Sequence, residues 1–141
     1  MINIEKSLDL AVNDVMTREV MSVDIDDQIQ EVQHLMASKH IRHAPVLKEG
    51  KLVGILSLTD LQRMNFANTY GEDETSADDA ISSMFTAGSV MHEHPVTIQP
   101  NASLKEVAKM FVDHEFHALP VVEKDELVGI ITTTDVLRTL I

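Results

Sequence analysis

Lys51-Leu-Val-Gly-Ile-Leu-Ser-Leu-Thr-Asp60 and Glu126-Leu-Val-Gly-Ile-Ile-Thr-Thr-Thr-Asp135 are two versions of one ten-residue segment, 75 residues apart. Each starts with an apolar, β-branched run that suits a strand. Each then passes a glycine and ends on hydroxyls and an aspartate that suit a helix start. Carried outward with the same shift, Val15–Arg63 aligns without gaps on Val90–Arg138, with 13 identities in 49 positions. Val15-Met16 falls on Val90-Met91, Glu31-Val32 on Glu106-Val107, and Pro45-Val46 on Pro120-Val121. Two copies are too few for a solenoid and point to a pseudo-symmetric pair.

Both copies show the same order of elements. A short extended stretch comes first, Val20–Ile25 and Pro95–Gln99. Helices are expected over 28–39 and 103–113, where Ile29, Val32, Leu35 and Met36, and Leu104, Val107, Met110 and Phe111, keep helical spacing. Ser103-Leu-Lys-Glu106 has the form of a capping box, and Asp26 or Asp27 is the expected cap of the first helix. Hairpins follow: Ala44–Lys48 with Lys51–Ser57, turning at Glu49-Gly50, and Leu119–Glu123 with Glu126–Thr132, turning at Lys124-Asp125. A last helix starts near Thr59 and near Thr134. The fold class is α/β (α+β), as two β-α-β-β-α repeats packed through their sheets. The expected domains are 1–69, an acidic linker 70–80, and 81–141. Five of the nine residues Gly71–Asp79 are acidic, which suits a solvated connector. A docking site for a basic partner is the sharper alternative.

Composition narrows the function. The chain has 141 residues, 11 basic and 23 acidic, a net charge of −12, and neither Cys nor Trp. Such a charge disfavours nucleic acid or an anionic membrane as partner, since both call for a basic face. Without Cys there is no disulfide, thiolate or Cys-ligated metal chemistry. No apolar run reaches membrane-spanning length, and Met1–Lys6 lacks the pattern of a signal peptide, so a cytoplasmic location is expected. With only 4% aromatics the core must be aliphatic, with eight Met as gap fillers. No nucleophile elbow, P-loop, His-Glu-x-x-His or Gly-x-Gly-x-x-Gly occurs, so no enzyme is expected.

Ser57 and Asp60, repeated as Thr132 and Asp135, place a hydroxyl and a carboxylate at a strand-to-helix corner. A carboxylate accepts from two sugar hydroxyls at once, and a hydroxyl beside free helix amides suits phosphate. The same residues are also ordinary helix caps. Gly54 and Gly129 fit either close approach of a ligand or tight strand packing. Pro45 and Pro120 read as starts of edge strands. His40-x-x-His43, His92-Glu-His94 and His114-x-x-His117 have spacings a metal could use, but no set recurs in both copies.

Taken together, Asp14-Val-Met-Thr17, Ile41-Arg-His-Ala-Pro-Val46 and Lys51–Asp60, with Ser89-Val-Met-His92, Phe116-His-Ala-Leu-Pro-Val121 and Glu126–Asp135, closely resemble the paired CBS domain, or Bateman module. The match covers about Val12–Leu140. The resemblance implies a non-catalytic regulator that stands alone and forms a homodimer. It implies binding of AMP, ADP or ATP, and less readily S-adenosylmethionine, between the repeats, with no obligatory cofactor and a response read by a protein effector. It places phosphate and ribose on Ser57, Thr59 and Asp60 and on Thr132, Thr134 and Asp135. It places adenine near Ser22 and Val23, Arg42, His43, Ala44 and Pro45, Thr97 and Ile98, and His117, Ala118, Leu119 and Pro120. The copies differ in charge at this set: His117 stands for Arg42, Ala118 for His43, and His92 for Thr17. Residues 1–70 hold 7 basic and 10 acidic residues, and 71–141 hold 4 and 13. Unequal sites are therefore expected, the Arg42 pocket taking the more phosphorylated ligand. A ligand-free scaffold and a metal-responsive regulator using the His pairs are the rival readings.

Overall fold

The computed structural model describes residues 4–68 and 85–141, with side chains at 5–63 and 85–141. The expected linker 70–80 lies outside the described residues. The elements are α1 (Ile4–Leu8), α2 (Val12–Val15), β1 (Val23–Asp24), α3 (Ile29–Ser38), β2 (His43–Lys48), β3 (Lys51–Ser57), α4 (Leu58–Asn68), α5 (Ala87–Val90), β4 (His92–Glu93), α6 (Leu104–His114), β5 (Ala118–Glu123), β6 (Glu126–Thr132) and α7 (Thr133–Arg138). No described helix is long and apolar enough to cross a membrane.

The chain divides into two compact units, and their boundaries cut across the sequence repeats. One unit is Met21–His94; the other joins Met1–Val20 to Pro95–Ile141. Each repeat thus sends its opening segment into the unit built from the other repeat's hairpin. Val12 and Met16 belong to the core of Leu104, Val107, Phe111, Leu119, Val121 and Ile131. Ala87, with Val90 and Met91 beside it, belongs to the core of Val23, Ile29, Val32, Met36, Val46, Leu56 and Leu61.

Methionine and glycine explain the exchange. A Cβ on Gly129 would stand 2.6 Å from Met16 Sδ and 2.9 Å from the Thr17 carbonyl oxygen. A Cβ on Gly54 would overlap Met91, with its Cγ at 2.8 Å and the His92 carbonyl oxygen at 3.0 Å. Both glycines are therefore bare so that an incoming methionine and its backbone can lie on the strand. Of the two readings offered for them, packing is the one realised. The charge asymmetry between sequence halves also dissolves. Met21–His94 carries five basic and twelve acidic residues, and the other unit six and eleven.

In Met21–His94 the sheet order is β1-β2-β3-β4. β1 runs parallel to β2 with Val23 opposite Val46, and β2 and β3 form the antiparallel hairpin, with a bulge between Val46 and Leu47. β4 adds antiparallel to β3, His92 opposite Ile55. The other unit repeats this plan with shorter pairing. β5 and β6 form the hairpin, Ile98 bridges to Val121, and Thr17 bridges to Ile130. Pro45 is therefore in an inner strand, whereas Pro120 lies in the two-stranded β5-β6 sheet, flanked only by the single bridge at Ile98; both prolines keep the hairpin pairing. They are tolerated because parallel pairing begins one residue later, at Val46 and Val121. The Pro120 carbonyl still accepts from Ile98 N at 3.0 Å.

Local expectations mostly hold to within a residue or two. α6 is capped by Ser103, whose Oγ accepts from Glu106 N at 3.2 Å. α3 is not capped by Asp26 or Asp27. Its N-cap is Gln28, and Asp27 instead accepts from Asp24 N at 2.8 Å, tightening the turn after β1. Both hairpin turns use left-handed backbone, at Glu49 (φ 52°) and Gly50 (φ 79°), and at Lys124 (φ 51°) and Asp125 (φ 66°). The second turn manages this without glycine, at some conformational cost. The stretches Val20–Ile25 and Pro95–Gln99 shrink to the two residues of β1 and a single bridge at Ile98.

Candidate functional site

In Met21–His94 the hairpin brings His43 opposite Ser57, and Leu58 N donates to the Arg42 carbonyl at 2.8 Å. Arg42, His43, Ser57 and the first turn of α4 thus share one corner. Thr59 and Arg42 are exposed there; Ser57 and His43 are half-buried. Asp60, in the first turn of α4, has a side chain 30% exposed. Its Oδ2 lies 2.8 Å from His92 Nε2 and its Oδ1 3.5 Å from Arg63 Nη1. A carboxylate only accepts, so Nε2 is the protonated nitrogen and donates. His92 and Arg63 are 70% and 77% exposed. This is a surface cluster, worth little to stability, in which a carboxylate faces two groups able to hold an anion.

The corresponding corner of the other unit has the same backbone and different side-chain bonding. Ala118 lies opposite Thr132, and Thr133 N donates to the His117 carbonyl at 3.0 Å. Asp135 is buried, at 9% exposure. Its Oδ2 accepts from Thr132 N at 3.0 Å while Thr132 Oγ1 accepts from Asp135 N at 3.2 Å. The Thr17 hydroxyl closes the group, 3.3 and 3.4 Å from the two carboxylate oxygens. Asp135 is a capping-box residue with an extra donor. Among the described residues, Ser57 and Asp60 form no such reciprocal cap. His117 and Thr134 are exposed at this corner.

The remaining expected residues divide by burial. Val23, Ala44, Pro45, Ala118, Leu119, Pro120 and Ile98 are buried, and all but the prolines belong to the apolar core. Their side chains lie mainly against the core. Ser22 is half-buried and Thr97 exposed. Thr97 and Ile98 line an open recess of about 500 Å³ with Gln99, Asn101, Ala102 and Glu106. This lining has one carboxylate and no cation, so it does not suit phosphate. Among the described residues no three His, Asp or Glu gather as a metal cluster. His92 and His94 part company: His92 bonds Asp60, and His94 takes a left-handed backbone (φ 51°).

Thr17 and His92 are functional candidates that sequence reasoning noted only as a substitution. Their matching positions after Val-Met were the available signal. Their partners were not visible, because each belongs to the other repeat.

Comparison with known proteins agrees with this architecture. The model of the CBS domain matches at residues 12–64 and 87–141. The chain is 29% identical over 126 residues to the CBS domain-containing protein YhcV of Bacillus subtilis, covering 89% of this chain and 81% of that one. It spans less of other relatives, 46% of one from Methanocaldococcus jannaschii. The CBS domain of a CBS domain-containing membrane protein from Sphaerobacter thermophilus superposes with a TM-score of 0.82 at 28% identity, covering 97% of this chain and 91% of that one. CBSX2 of Arabidopsis thaliana, solved in complex with AMP, superposes with a TM-score of 0.75 at 25% identity, covering 91% and 93%. With two matched copies spanning most of its length, the chain belongs to the CBS domain family, as a tandem pair.

Proposed function

We propose that this chain is a non-catalytic sensor of adenine nucleotides (AMP, ADP or ATP), acting as a homodimer on a protein effector. The observation that carries the reading is the Asp60 corner. A partly exposed carboxylate contacts Arg63 and His92, and the chain brings Ser57 and Arg42 to the same backbone corner, which offers a sugar-diol acceptor and phosphate donors. The AMP complex of CBSX2 supports an adenine ligand. S-adenosylmethionine fits this corner less well, since its sulfonium brings a positive charge towards Arg63 and the other cation-capable side chains there.

One observation favours the ligand-free scaffold at the other corner: Asp135 is already used by Thr132 and Thr17. The test is thermal melting with AMP, ADP, ATP, S-adenosylmethionine or zinc at about 1 mM. A ligand at 100 times its dissociation constant adds about 2.7 kcal/mol, which at this chain length raises the midpoint by several degrees. Asp60→Ala should abolish the rise without unfolding the protein. A flat response to every adenine ligand would leave the scaffold, and a response to zinc alone would favour the metal reading.

A further inference from the structure

We infer that His92 makes the Asp60 corner select phosphorylated over unphosphorylated adenine ligands, by holding Asp60 until a phosphate draws it away. The inference rests on the nucleotide reading above. A ribose held by its diol competes for the carboxylate's acceptor sites, and in this structure Oδ2 accepts from His92 at 2.8 Å while Oδ1 faces Arg63. The backbone of His92 is fixed by pairing with Ile55, but its side chain is 70% exposed. Rotation about its side-chain bonds is therefore enough to release Asp60, and such rotations are fast.

The two ligand classes meet different costs. A nucleoside displaces the imidazole and offers it nothing in return. A nucleotide displaces it and supplies a phosphate, a charged acceptor that replaces Asp60 for the same N–H. Binding that must break a contact is specific for the ligand that replaces it. Arg63 is not what distinguishes the two corners, since Arg138 stands at the matching position of the other unit. The residue that differs is Thr17, whose short side chain lies against the buried Asp135 and carries no charge.

The test is isothermal titration of the full chain with AMP and with adenosine, using wild type, His92→Thr and Asp60→Asn. His92→Thr copies the residue of the other repeat and leaves the strand pairing intact. Adenosine binding should tighten in His92→Thr and AMP binding weaken, so that the AMP-to-adenosine preference falls about tenfold, the effect of one charge-assisted hydrogen bond. If His92→Thr keeps the wild-type preference while Asp60→Asn weakens both ligands, the role of His92 is refuted and the nucleotide reading stands. If neither the wild type nor any variant binds either ligand, both fall.

Discussion

Asp60 and Asp135 occupy matching positions, each in the first turn of the helix that follows its hairpin, yet one is a surface acceptor and the other a structural cap. Asp60 faces exposed His92 and Arg63; Asp135 is buried under Thr132 and Thr17. The hairpins themselves are near copies, with the same register and the same bulge. Most of the difference therefore comes from the opening segments, which arrive from the opposite repeat. Duplication has kept the scaffold of two corners while an exchanged segment sets what each carboxylate can do.

The largest effect expected from this exchange concerns folding. Residues 21–94 hold a complete unit, whereas residues 1–69 keep a hairpin without Ala87 and Met91 and carry Met16 without Gly129. The 21–94 fragment should melt cooperatively, and the 1–69 fragment should not. A cooperative, monomeric transition in 1–69 by circular dichroism and light scattering would mean that the exchanged segments are dispensable.

Next in size is the contrast between the aspartates. Asp135→Ala removes a buried cap and leaves Thr132 N and the Thr17 hydroxyl without their acceptor, a loss of about 2–4 kcal/mol in urea unfolding. Asp60→Ala removes exposed partners and should cost under about 1 kcal/mol. Equal losses would show the two corners to be energetically alike.

The smallest expected effect sharpens the packing side of the comparison. Gly129→Ala pushes a methyl onto Met16 and the Thr17 carbonyl, and overpacking of this kind costs about 1–3 kcal/mol. In a Met16→Ala background part of that cost should vanish, because the sulfur has gone while the carbonyl remains. Strict additivity in this double-mutant cycle would remove Met16 from the account of why Gly129 is bare.

Much of this was legible beforehand. The 75-residue repeat, both hairpins, the long helices and the Ser103 cap follow from local periodicity and turn chemistry. The corner residues Ser57, Asp60, Thr132 and Asp135 were visible as a repeated strand-to-helix junction. What was missed shares one cause. Asp26 or Asp27 was expected to cap α3, but Gln28 takes the N-cap position and Asp27 accepts from Asp24 N. Pro45 was read as an edge residue because the two-residue parallel strand beside it is too short to leave a pattern.

By itself, the sequence determined a duplicated α/β pair of the CBS domain family with an aliphatic core and a charge that opposes nucleic acid. Periods of 2 and 3.6 residues and a repeated motif are properties of neighbouring positions, and neighbours are what a sequence displays. Only the tertiary structure decided which opening segment serves which hairpin, and so that Thr17 meets Asp135 and His92 meets Asp60. Thr17 and Asp135 are 118 positions apart, and no local pattern carries such a pairing. Burial of Met16 on Gly129 and of Met91 on Gly54 sets it, and each burial exists only once its own unit has formed.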